Sequence, residues 1–258
     1  MNSKKTSLPN LMIGTASWGS KVSKQEAFKI IEKSLENDYF TFDSATNYPI
    51  NGNPQSWNMA LRYLHEWITT NPNSLIKIFI KMGAVRNDGS SQNNLSTEFL
   101  KFQMDFWNQK LGKNVLGFGI HWDNRSAEHK TDVENMIEAL LSTDLKNQYF
   151  GISGIKYPQN YTNNIGIDFS NWIIQVKNNS TEQVSINSYL PHFPSNPYFA
   201  YGISARIKNR NFETKEEKNL AYESELIHIK ENLNYFGCII GPSDSEQLLQ
   251  TLRLWKTK

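Results

Sequence analysis

The chain has 258 residues, with 27 basic and 25 acidic side chains and a net charge of +2, a balance without the clustered positive surface that nucleic-acid binding demands. Hydrophobic residues, at 38%, supply a core, while runs such as Ile78-Phe79-Ile80 fall far short of the roughly 20 residues that cross a bilayer. The opening MNSKKTSLPN has no apolar stretch after its lysines, and the single cysteine, Cys238, excludes an intrachain disulfide and a cysteine-based zinc cluster, so a cytoplasmic protein is expected.

In chain order, eight short apolar runs read as strands: LMIG to Gly14, YFTFD to Asp43, IKIFIK to Lys81, GFGIH to His121, YFGIS to Ser153, WIIQ to Gln175, YFAYG to Gly202 and GCIIG to Gly241. Their ends follow one another at roughly 30 residues, the size of a βαβ unit. Between them lie helical stripes. Ala27, Ile30, Ile31 and Leu35 share a face after a capping box of Ser23 and Glu26. Gln55 to about Thr70 carries Met59, Leu61, Leu64 and Trp67, and Thr97–Leu111 carries Phe99, Phe102, Phe106 beside Leu100, Met104 and Trp107. Val133, Ile137, Leu140 and Leu141 mark a fourth helix, Leu220 to Leu233 a seventh and Leu248 to Leu254 an eighth. The fifth and sixth are weak, because Tyr157–Ile165 and Ser180–Pro197 hold prolines and little periodicity, so loops or single turns are expected there. The alternation predicts one (β/α)8 barrel spanning 1–258, with shortened fifth and sixth helices and no long C-terminal extension.

In such a barrel the C-terminal strand ends share one mouth, and Asp43, Lys81 and His121 each end a candidate strand there, with Tyr48 on the next loop. A phenol is a poor proton donor at neutral pH, and a neighbouring ammonium lowers its pKa. Lys81 supplies that ammonium, Asp43 holds the lysine, and a neutral His121 orients a substrate carbonyl. Trp18, Trp57 and Trp122 are expected near the mouth, with Trp18 and Trp122 touching substrate and an aromatic, polar pocket suiting a sugar or another hydroxylated carbonyl compound. Arg125 is expected to pair with Glu128. The scattered histidines assign no metal.

The segments IGTASWG (Ile13–Gly19), FDSATNY (Phe42–Tyr48), IFIKMG (Ile78–Gly83), GIHWD (Gly119–Asp123), FGISG (Phe150–Gly154) and IIGPSDSEQL (Ile239–Leu248) together resemble the aldo-keto reductase family. The resemblance implies carbonyl reduction with NADPH or NADH, through a tetrad that falls on Asp43, Tyr48, Lys81 and His121. It also implies cofactor contacts at Thr15, at Ser153 and Gln175 for the carboxamide, and at Tyr201 under the nicotinamide ring. Gly202, Ser204 and Arg206 fall near the pyrophosphate, and Ser243, Gln247 and Gln250 at the adenosine end, where Ser243 with Glu246 forms a helix cap whose free N–H groups suit a phosphate. No G-x-G-x-x-G opens a helix, so the nicotinamide comes from the resemblance alone.

The chain departs from the family pattern in three places. Gly154 replaces a carboxamide-contacting asparagine, Thr251 replaces an adenine-contacting one, and Asp244 puts a carboxylate where a 2′-phosphate would lie, with Lys208 or Arg210 as possible compensation. Two other functions fit the same residues: a cofactor-binding regulatory or partner subunit with weak catalysis, and a lyase forming a Schiff base on Lys81.

Overall fold

The computed structural model describes residues 7–83, 93–142, 148–162, 167–177, 184–208 and 210–256. All eight expected strands form: β1 (Leu11–Gly14), β2 (Thr41–Ala45), β3 (Lys77–Met82), β4 (Val115–His121), β5 (Tyr149–Ser153), β6 (Ile173–Lys177), β7 (Tyr198–Tyr201) and β8 (Gly237–Ile240). Each pairs in parallel with its successor and β8 pairs with β1, which closes the barrel.

Around it stand α1 (Lys24–Glu36), α2 (Met59–Thr70), α3 (Thr97–Leu111), α4 (Lys130–Leu141), α5 (Gln159–Thr162), α6 (Val184–Tyr189), α7 (Ile203–Lys208), α8 (Lys215–Glu231) and α9 (Ser245–Lys256). As expected, α5 is a single turn and α6 has 6 residues; residues 163–166 and 178–183 of those two stretches lie outside the described part. No described helix is long and apolar enough to cross a membrane.

Three helix expectations change. The second helix begins at Met59 rather than Gln55, because Pro54–Ser56 forms a 3-10 turn capped by Asn53 and Asn58 enters the helix from the left-handed region at φ 60°. In α3 the Leu100, Met104, Trp107 stripe is buried, while Phe102 is 60% exposed. Phe99 and Phe106 of the second stripe are partly buried and pack against the same core, so of that stripe Phe102 alone is left in solvent. In α8 the Thr214 hydroxyl accepts from the Glu217 N–H, so the helix starts at Lys215, turns Glu225, Leu226 and Ile229 inward, and leaves Leu220 and Leu233 in solvent.

Strand side chains alternate between two cores, as the period-2 geometry of a strand requires. Outward residues such as Ile78, Ile80, Phe118, Ile120 and Ile174 pack under the helices. Inward ones, Met12, Phe79, Ile173, Phe199 and Ile239 among them, fill the barrel. The Phe79 ring fits because the neighbouring inward positions are glycines: a Cβ on Gly119 or Gly151 would lie 2.9 Å from its Cζ. That alternation sets the site, because continuing the inward parity by two residues gives Phe79 to Lys81, Gly119 to His121, Gly151 to Ser153, Ile173 to Gln175 and Phe199 to Tyr201.

Candidate active site

Asp43 projects from β2, and its strand register sets Ala45 opposite Lys81 of β3. The loop after β2 is tied to β3 by the Thr46 N–H donating to the Lys81 carbonyl at 3.0 Å, and back to β2 by the Tyr48 N–H donating to the Ala45 carbonyl at 3.1 Å. This brings the Tyr48 ring over the Lys81 ammonium, 5.2 Å from Nζ to the ring centroid. His121, ending β4, meets the Tyr48 ring edge-on, with centroids 5.9 Å apart. The four side chains expected to act together therefore share one rim, and all four are buried.

Asp43 and Lys81 form a buried ion pair through Oδ2 and Nζ. Gln175 of β6 completes a triangle: its Oε1 accepts from Lys81 Nζ at 3.0 Å, and its Nε2 donates to Asp43 Oδ1 at 2.6 Å. The sequence marked Gln175 as a carboxamide contact but carried no signal for this bridge, which joins residues 94 and 132 positions apart.

The protonation states follow from burial and charge. Burial, the largest single influence, opposes the Lys81 ammonium, but Asp43 and Tyr48 together outweigh it and hold the lysine charged, its pKa raised. Burial pushes the Tyr48 phenol up; Lys81 counters this without reversing it, and Asp43 adds to the rise. The expectation of a lowered phenol is thus corrected: desolvation exceeds the ammonium's pull, and Tyr48 is protonated at neutral pH. Burial, then Lys81, drives His121 well below the ordinary histidine range, so its ring is neutral. Its Nδ1 is buried with no partner among the described residues, which favours a bare lone pair there and the hydrogen on Nε2.

Buried and neutral, His121 makes the fold lose stability in acid. Its folded-state pKa is depressed, so as pH falls below the unfolded value near 6.5 the unfolded chain binds the proton first and stability drops. The slope approaches about 1.4 kcal/mol per pH unit. Thermal melts from pH 7 downward are expected to show this loss in the wild type and a smaller one in His121→Asn; parallel profiles would show that His121 is not buried neutral.

Trp122 follows His121 in the left-handed region at φ 60°, an unusual state for a bulky residue. It is held there by its N–H donating to the Ser153 carbonyl and by Asn93 Nδ2 donating to its own carbonyl, both at 2.9 Å. Its ring lies 4.7 Å from His121, and its Cδ1 sits 2.4 Å from where a Gly154 Cβ would be. The indole therefore takes the space of the missing asparagine side chain. Trp18, in contrast, is fully buried against Phe42 with centroids 6.0 Å apart, in a turn where its N–H donates to the Thr15 carbonyl at 3.0 Å, so it is not exposed at the mouth as expected. Trp57 stays half-buried. Arg125 pairs not with Glu128 but with the buried Asp123, which also accepts from the Tyr161 hydroxyl at 2.7 Å. The Asp-x-Arg spacing was the available signal.

Tyr201, ending β7, is half-buried beside Ser153, and burial raises its phenol. The Thr15 hydroxyl lies 2.9 Å from Ser44 Oγ and 3.1 Å from the Asp43 carbonyl, so it is engaged within the rim. Gly202 has φ 90° and starts the turn into α7. Ser204 meets the Tyr222 phenol, which the buried Thr251 also touches at 3.4 Å. Arg206, expected near a pyrophosphate, is paired with Glu225 of α8 at 3.0 Å. Arg210 is exposed, and the Lys208 side chain lies outside the described residues.

At α9 the expected caps are rearranged. Asp244, not Ser243, caps the helix, its Oδ1 accepting from the Gln247 N–H at 2.8 Å. Glu26 does not return to Ser23, whose hydroxyl accepts from the Glu26 N–H at 3.2 Å. Its Oε1 instead accepts from the Ser245 N–H at 2.7 Å, which lowers the Glu26 pKa. Gln247 Oε1 takes the Ser243 N–H at 2.7 Å, and Gln250 is exposed. The N–H groups expected to await a phosphate are thus largely satisfied by the chain's own oxygens, two of them carboxylates.

Comparison with known proteins agrees with this architecture. A family model described as the aldo/keto reductase family matches residues 10–162, more than half of the chain. No curated protein sequence matches it. Among solved structures, aldo-keto reductase AKR11C1 from Bacillus halodurans in its holo form is similar with a TM-score of 0.70, covering 96% of this chain and 87% of that one at 16% identity, a likeness of fold.

Proposed function

Since the chain belongs to the aldo/keto reductase family, we propose that it is an NAD(P)H-dependent oxidoreductase that converts the carbonyl of a small aldehyde, ketone or sugar-like molecule to an alcohol, with Tyr48 as the proton donor. The observation that carries this reading is the meeting of Asp43, Tyr48, Lys81 and His121 at one rim of the barrel. A bound reduced nicotinamide supplies the hydride. Tyr48 transfers its O–H proton to the carbonyl oxygen as charge develops there, and the Lys81 ammonium stabilises the phenolate that remains. Neutral His121 donates from Nε2 to the same oxygen and orients the carbonyl. Trp122, half-exposed beside His121, bounds the substrate side. A Schiff base on Lys81 is disfavoured, because that chemistry needs a free amine and Asp43 holds the ammonium.

The two ends of the cofactor fit the chain unequally. Tyr201 and Ser153, at the ends of β7 and β5, suit a nicotinamide ring and its carboxamide. A 2′-phosphate at the start of α9 would face Glu26 and Asp244, while Arg206 is committed to Glu225. The chain therefore favours NADH over NADPH. Tryptophan-quenching titrations are expected to give NADH an advantage of about tenfold in Kd, near 1.4 kcal/mol, narrowed by the double change Glu26→Gln and Asp244→Asn. Equal or tighter NADPH binding by the wild type would reverse the assignment.

Activity is tested by following oxidation of NADH and NADPH against a panel of aldehydes, ketones and open-chain sugars. Consumption that depends on the carbonyl is expected; binding of cofactor with no consumption across the panel would overturn the reading.

A further inference from the structure

We propose that Gln175 is a positioning residue that holds the Asp43–Lys81 pair facing Tyr48. This rests on the reductase reading of the site, but it assigns Gln175 a task besides contact with a carboxamide.

The network is closed on itself. Lys81 Nζ donates to Asp43 Oδ2 and to Gln175 Oε1, and Gln175 Nε2 donates to Asp43 Oδ1. An ammonium has three hydrogens, so two are committed and the remaining side faces Tyr48, with the phenol ring centroid 5.2 Å away. A carboxylate has two oxygens, and here each has its own donor. Gln175 meets both partners because a neutral amide carries a donor and an acceptor together. An ionised glutamate would set a second carboxylate against Asp43, and a lysine would add a second ammonium.

The reach across the barrel is also built in. Lys81 and Gln175 stand two residues beyond the inward Phe79 and Ile173, so both enter the layer above those apolar side chains, where they meet at 3.0 Å. Asp43, Lys81 and Gln175 are each no more than 3% exposed, so water does not readily replace a lost partner. Without Gln175, Asp43 Oδ1 has no side-chain donor among the described residues. The carboxylate then draws the ammonium toward both of its oxygens and away from the phenol. The other titratable groups facing the pair are Tyr48, His121 and Tyr201.

The test reads the phenol directly in the cofactor-free protein. Ultraviolet difference titration with Tyr48→Phe as baseline isolates Tyr48, and in Gln175→Met its apparent pKa is expected to rise by about half a unit or more. In turnover, kcat at saturating NADH is expected to fall about tenfold, separately from the loss of NADH affinity that a missing carboxamide contact causes, which tryptophan quenching reads as a change in Kd. Gln175→Glu supplies the second arm. Its protonated carboxyl offers the same donor and acceptor, so this variant is expected to resemble the wild type at acidic pH and Gln175→Met once the added carboxyl ionises. An unmoved phenol titration, or a loss confined to NADH affinity, would overturn the proposal. If the wild type reduces no carbonyl, the reductase reading fails on its own, and the phenol titration still decides the role of Gln175.

Discussion

Tyr48→Phe is expected to lower turnover by about 10³-fold while leaving NADH affinity within about twofold, since loss of a positioned general acid costs on the order of 10² to 10⁴ in rate. The change removes one oxygen from a 7%-exposed ring whose edge-on contact with His121 and approach to Lys81 depend on the ring itself. The folded site should persist, with an unchanged melting temperature and unchanged tryptophan quenching by cofactor. What disappears is the proton for the developing alkoxide: neutral His121 can hydrogen-bond that oxygen, but releasing its proton would leave an imidazolate in a buried site. A Tyr48→Phe protein with near-normal kcat would remove Tyr48 from the chemistry and return the assignment to His121 or water.

The largest effect on stability is expected at the ion pair. Lys81→Met leaves the Asp43 carboxylate buried with Gln175 as its one remaining side-chain partner in the triangle. Breaking a buried pair by removing one member costs about 3–5 kcal/mol, which for a chain of this size lowers Tm by roughly 10 °C. Replacing both members, Lys81→Met with Asp43→Leu, removes the stranded charge and is expected to regain part of that loss without regaining turnover. The comparison separates folding from catalysis, because stability returns with charge balance whereas activity requires the ammonium beside the phenol. A Lys81→Met protein that melts with the wild type would show that the pair is solvated in solution.

Much of this site is legible in the sequence for a specific reason. Strand ends are local: apolar runs that stop at Asp43, Lys81, His121, Ser153 and Gln175 mark the barrel mouth before any packing is known, and the period-2 alternation within YFTFD, IKIFIK and GFGIH places those residues on the inward parity. The helices with one strong stripe, α1 and α2, were legible on the same basis. α8 was not, because its buried face of Glu225, Leu226 and Ile229 includes a charged residue paired with Arg206. Periodicity reads such a face as polar.

By itself, then, the chain determined the barrel, its strand ends and the four groups at the rim, because each depends on residues near in sequence or on a repeated local pattern. The tertiary structure alone decided the balances between groups far apart along the chain. Burial outweighs Lys81 in setting the Tyr48 phenol, Gln175 bridges Asp43 and Lys81 from across the barrel, and Glu26 reaches the start of α9 over 219 positions. Desolvation and hydrogen-bond partnership are properties of the assembled surroundings, and no spacing rule encodes which distant oxygen will meet a given N–H.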